Sequence, residues 1–213
     1  MPWRHPRLSL LVAALAWFGL GLQLLLSLRL VVAQGGTPLG GLVVYLGYFT
    51  VLTNLLVAVS LSLALWRPGS AAGRWFRRPG VATAVAVNIA LVGLTYHLLL
   101  RHVWDPQGLQ KLADITLHYA VPLLGVLHWW LAVPPARMAW RAPLAWAAWP
   151  LAYLGYALLR GLWLGTYPYP FIDVATLGYP RTLLNALGLL VVFLLVGLAF
   201  VAVARGRLRR SPR

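Results

Sequence analysis

The chain has 213 residues, of which 61% are apolar and only 10% charged, and its mean hydropathy is +0.78. Soluble domains carry about a quarter charged residues, so this balance excludes an ordinary soluble domain and points to a polytopic membrane protein. Cysteine is absent, which excludes disulfides, thiol chemistry and cysteine-ligated metals. The net charge of +15 resides on basic residues that flank apolar runs, so anionic lipid headgroups rather than nucleic acid are the expected counter-charge.

An apolar run over 8–32 follows Arg4 and Arg7. It is longer than the apolar core of a secretory signal and no small-x-small cleavage site follows, so it is expected to be a retained first helix. The second run, 40–66, is expected to form one helix carrying Thr50, Thr53 and Asn54 on a shared face, by their i+3 and i+4 spacing. Thr53 and Asn54 are expected to act as interhelical glue, whereas Thr50 is open to that role and to the role of a nucleophile. The third run, 81–100, ends at His97 and Arg101, an i, i+4 pair expected to anchor at the interface, with His97 alternatively lining a cavity.

The fourth run, 115–133, contains His118. An ionisable group at membrane depth is costly and marks a functional site by default. Asp114, one turn earlier, is expected as the N-cap of this helix, with orientation of the imidazole as the alternative. His128, beside Trp129 and Trp130, reads as an interfacial belt. The fifth run, 143–164, carries Arg160 near its end. A stiff Tyr-Pro segment then runs through Tyr167, Tyr169 and Asp173, an aromatic interfacial strip that could also cap a cavity, before the sixth run at 182–204. Gly- and Pro-rich breakers separate the runs, and no repeat or second domain is visible. The expectation is therefore an all-α, polytopic protein with six transmembrane helices in a single domain, 1–213.

Of the 18 basic residues, only Arg29, Arg101, Lys111, Arg160 and Arg181 fall outside the termini and the even-numbered loops. The positive-inside rule then places both termini in the cytoplasm. All three acids and most intramembrane polar residues fall toward the outer side, where Thr50 and His118 are expected at similar depth in a polar cavity. A hydroxyl and an imidazole on facing helices can form a nucleophile and its base. Asn54, His97, Arg160, Tyr169 and Asp173 are candidates for substrate binding or for stabilising an oxyanion. Known soluble-enzyme signatures are missing: there is no Gly-x-Ser-x-Gly elbow, no His-Glu-x-x-His and no Walker loop. Three acids are too few for a carboxylate metal site, so neither metal nor cofactor is expected.

Three patches carry a resemblance: Phe49-Thr50-Val51-Leu52-Thr53-Asn54, Leu117-His118-Tyr119-Ala120-Val121-Pro122-Leu123 and Tyr169-Pro170-Phe171-Ile172-Asp173. Together they resemble the androgen-induced and androgen-dependent TFPI-regulating protein family of intramembrane threonine hydrolases, which includes many bacterial six-pass proteins. The resemblance implies a hydrolase of lipid esters, with fatty acid esters of hydroxy fatty acids as substrates. It also implies Thr50 as nucleophile and His118 as base, with Thr53 as the alternative nucleophile. The link between the two helices is shorter here than in the animal proteins, and Asn54 stands near a position where those have an acid. The expected setting is a bacterial inner membrane, with membrane lipids as partners and a lipid ester as substrate. The alternative expectation is a non-catalytic lipid- or ligand-binding membrane protein or a small transporter; a weaker third is haem held between His97 and His118.

Overall fold

The structure is a computed structural model that describes residues 5–210. Arg4 and Arg213, counted among the basic flanks, lie outside the described residues. Six helical stretches are long and apolar enough to cross a membrane, and no strand occurs among the described residues.

Helix α1 (Pro6–Ala33) enters on a proline, whose missing N–H costs nothing in a first turn. The expected second helix is instead two. Helix α2 (Pro38–Leu46) is capped by the Thr37 hydroxyl, which accepts from the Gly40 N–H. It stops at Gly47, Tyr48 is extended (φ −95°, ψ 132°), and α3 (Phe49–Trp66) begins. A break beside a membrane-length helix must re-satisfy its backbone groups from neighbouring elements. Two tyrosines do so here: Tyr153 donates to the Gly47 carbonyl at 2.9 Å and Tyr156 to the Leu46 carbonyl at 3.3 Å. The correction to the single-helix expectation moves Thr50 from mid-helix to the second residue of α3.

A short α4 (Ala71–Phe76) leads to α5 (Pro79–Thr95), which ends in a π-helical turn at Tyr96–Leu100. The fourth span begins as α6 (Gly108–Ile115), passes through a second π-helical turn at Thr116–Ala120 and continues as α7 (Val121–Ala132). Pro122 supplies the reason for the second turn. It has no N–H to return to the His118 carbonyl, and its ring would crowd that oxygen in a regular helix. Gly93 of α5 packs against this spot; a Cβ there would stand 3.2 Å from the His118 oxygen and 3.0 Å from Pro122 Cβ.

Helix α8 (Ala142–Trp146) and α9 (Ala148–Leu164) make the fifth span. A 3₁₀ turn at Pro170–Ile172 precedes α10 (Val174–Arg210), which is interrupted at Gly178, where φ is +69°. The main core lies between α1, α3, α5 and the fourth span, around Val12, Ala16, Val57, Ile89, Leu117 and Val121. By contrast α9 and α10 sit at the periphery, where Leu159, Leu162, Trp163 and Leu195 remain exposed as a lipid-facing surface would be. The first, third and fifth connections converge at one end of the bundle, around a shared cavity. At the opposite end Arg205 donates to the Met138 carbonyl and Arg207 to that of Val133, and the Arg207 guanidinium lies over Trp129 and Trp130.

Candidate active site

Starting α3 at Phe49 leaves the first-turn N–H groups without intrahelical acceptors. The Thr50 N–H is met by the Tyr169 hydroxyl at 3.3 Å, delivered by the Tyr-Pro segment that precedes α10. Tyr169 Oη also stands 3.4 Å from Thr50 Oγ1. Since Oη accepts from the N–H, its own proton is free to point at Oγ1 or at an oxygen seated beside it. Burial pushes the Tyr169 phenol up to about 12, so it remains a proton donor across the physiological range.

The second π-helical turn presents His118 toward α3. Its Nε2 lies 3.2 Å from Thr50 Oγ1. Its Nδ1 lies 3.1 Å from the Asp114 carbonyl, which can only accept, so the ring proton belongs on Nδ1 and the Nε2 lone pair faces the threonine. That is the tautomer a general base requires. Asp114 is not the helix cap expected from the sequence, because the fourth span begins a full turn and more earlier at Gly108 with Gln107 as its N-cap. Asp114 is buried, with Oδ1 3.1 Å from His118 Nδ1 and Oδ2 accepting from the Tyr96 hydroxyl. The Nδ1 proton is directed at the carbonyl, so Oδ1 is an ionic neighbour of the ring, placed to stabilise an imidazolium.

Asn54 faces away from this centre but fixes it. Its Nδ2 donates to the Thr50 carbonyl at 2.8 Å and to the Leu117 carbonyl at 3.1 Å, tying the backbone of the hydroxyl-bearing residue to the residue before the histidine. Thr53 is fully buried and accepts from Trp149 Nε1 at 3.1 Å, away from the cavities. Of the two threonines, only Thr50 meets the imidazole.

Other expected participants are placed elsewhere. His97 is exposed and pairs with Tyr119 and Arg101; it lines neither cavity at the Thr50 centre. Arg160 packs over Gly47, where an added Cβ would stand 3.1 Å from its Cζ, and donates to the Thr166 carbonyl. Asp173 accepts from the Ala175 and Thr176 N–H groups and caps α10. His128, assigned above to the interfacial belt, is buried and 2.8 Å from Ser9 Oγ.

Two cavities meet at Thr50, sharing Thr50, Tyr96, Leu100 and Tyr169 as walls. One, of about 100 Å³, is apolar and runs between α5, α9 and α10 past Leu91, Leu151, Leu154, Leu190 and Phe193. The other, of about 290 Å³, lies against α1, α2 and α6 and includes His118, Asp114, Gln23, Ser27, Gln110 and Trp104. Tyr96, Gln23, Ser27 and Gln110 were not singled out from the sequence. A glutamine in the middle of the first apolar run was the available signal for Gln23.

Among the described residues no cluster of three or more histidines or carboxylates is positioned to hold a metal. Comparisons with protein-family models, with curated proteins and with solved structures gave no match.

Proposed function

We propose that this protein is a membrane-embedded lipid ester hydrolase in which Thr50 is the nucleophile and His118 its base. The observation that carries the reading is the Thr50 Oγ1–His118 Nε2 distance of 3.2 Å, with Nδ1 locked as the protonated nitrogen, at the junction of two cavities. The Thr50 proton passes to Nε2 as Oγ1 attacks the ester carbonyl carbon. Asp114 stabilises the imidazolium. The tetrahedral oxyanion is met by the Tyr169 hydroxyl, held beside the N-terminus of α3 by the Thr50 N–H. Collapse expels the alcohol, which takes the proton from Nε2 and leaves an acyl-threonine. Water, giving a proton to His118 Nε2, then attacks the acyl carbon; Thr50 Oγ1 leaves, takes that proton back, and the fatty acid is released. The apolar cavity holds the acyl chain. The resemblance at the Thr50, His118 and Tyr169 patches supports the same assignment.

The same reading places the Thr50 end of the bundle outside a bacterial inner membrane and both termini in the cytoplasm, on the strength of the arginine distribution. The test is labelling of the purified protein by a fluorophosphonate. The wild type labels covalently, while Thr50→Ala and His118→Ala do not. A folded wild type that stays unlabelled, or a Thr50→Ala variant that labels fully, overturns the hydrolase reading in favour of a lipid-binding or transport protein using the same cavities.

A further inference from the structure

The larger cavity is lined by an amide chain on the wall provided by α1 and α6. Gln110 Nε2 donates to Gln23 Oε1 at 2.8 Å, and Gln23 Nε2 donates to Ser27 Oγ at 3.2 Å. Each amide thereby uses one of its two Nε2 protons, so donor and acceptor capacity remains on this wall. Asp114, with a buried Oδ1, adds an acidic group on the same cavity. No arginine or lysine is among the cavity's lining residues. Arg29, Arg101 and Lys111, the basic residues nearest in sequence, are exposed and lie outside that lining. Arg160, one of the candidates for substrate binding, packs over Gly47, donates to the Thr166 carbonyl and is not among the cavity's lining residues.

We infer that the alcohol part of the substrate is an uncharged, hydroxyl-bearing head such as the glycerol of a monoacylglycerol, seated against Gln23, Ser27 and Gln110. This rests on the hydrolase reading and narrows its substrate. A carboxylate or phosphate seated against this wall would meet no arginine or lysine and would stand beside Asp114, an unfavourable arrangement. A second fatty acyl arm would lay methylenes against the amides and leave their polar atoms unpaired. Glycerol hydroxyls donate to and accept from amides equally well. The assignment departs from the hydroxy fatty acid esters implied by the resemblance, whose alcohol part carries a carboxylate.

The test measures kcat/KM of the purified protein on monooleoylglycerol and on the oleate ester of a hydroxystearic acid, with fluorophosphonate labelling recorded on the same preparation. The glycerol ester is expected to be favoured at least about tenfold, because the wall gives its hydroxyls partners and gives a carboxylate only the repulsion of Asp114. Gln23→Leu and Gln110→Leu are expected to bring that ratio to within about threefold of unity, since each removes a hydrogen-bonding wall group. A labelled wild type that cleaves the carboxylate ester as well as the glycerol ester overturns the headgroup assignment and leaves the hydrolase reading standing. A preparation that neither labels nor cleaves either ester overturns both. The wild-type ratio decides the headgroup even where a glutamine variant fails to fold.

Discussion

The Tyr96 ring stacks on the His118 imidazole, with centroids 3.9 Å apart and planes 17° from parallel, while its hydroxyl donates to Asp114. One side chain from the third span thus holds both the base and the carboxylate beside it. Tyr96→Phe keeps the stack and removes the hydrogen bond to Asp114. It is expected to lower kcat about tenfold with KM within about twofold, as for a residue that positions the base rather than the substrate. Tyr96→Leu, which also removes the stacked face, is expected to lower kcat further. Steady-state kinetics on any cleaved ester separates the two parameters, and an equal rise of KM in Tyr96→Phe argues against the positioning role.

The Asn54 amide bridges the Thr50 and Leu117 carbonyls from a fully buried position. Asn54→Leu leaves both oxygens without this donor, a loss of about 1–3 kcal/mol. The expected fall in unfolding temperature is about 3–10 °C. Activity falls with it, because the link between Thr50 and the helix of His118 is gone. Thermal unfolding in detergent, followed by circular dichroism, reads the first effect.

Thr53 is one turn from Thr50 but is bonded to Trp149. Thr53→Val is expected to cost about 1 kcal/mol of stability through the unpaired indole N–H and to leave fluorophosphonate labelling intact. Labelling that disappears in Thr53→Val and survives in Thr50→Ala would reassign the nucleophile.

Tyr169 is expected to supply the oxyanion donor, so Tyr169→Phe lowers kcat by about a hundredfold. The phenol also has a signature in stability. Its folded value, about 12, lies above the unfolded value near 10. The folded chain therefore holds this proton where the unfolded chain has lost it. The contribution is fully present below pH 10 and is lost as pH rises from about 10 to about 12. Over that window the wild type is expected to lose stability faster than Tyr169→Phe, measured by unfolding at stepped alkaline pH.

Ser9 and His128 form a second hydroxyl–imidazole pair, 2.8 Å apart, toward the opposite end of the bundle. The cavity beside His128 is only about 20 Å³ and Ser9 does not line it, so no acyl group can reach the hydroxyl. Ser9→Ala is expected to lower stability by about 1–2 kcal/mol without changing labelling. A reactive Ser9 would be revealed by peptide mapping of the labelled protein.

The sequence by itself determined the class of protein and its number of spans. Runs of about 20 apolar residues separated by Gly and Pro leave no other economical way to satisfy the backbone in lipid. It also marked His118 and Thr50, because polar groups are conspicuous against so apolar a background. Several decisions belonged to the tertiary structure. An apolar run does not reveal where its helix breaks, since Gly47 and Tyr48 are tolerated only when Tyr153 and Tyr156, more than a hundred residues away, take the freed carbonyls. Asp114 looked like a cap because helix starts are read from local apolarity; the helix in fact begins at Gly108, and the carboxylate is drawn inside by Tyr96 and His118. Tyr169 was one of five candidates for binding substrate or stabilising an oxyanion until the fold laid its strip on the first turn of α3. Arg160 and Asp173 are charged and near the right end of the bundle, yet packing directs them to a helix end and a helix start instead. Hydropathy sets depth in a membrane and periodicity sets the face of a helix, but which faces meet depends on contacts between distant parts of the chain.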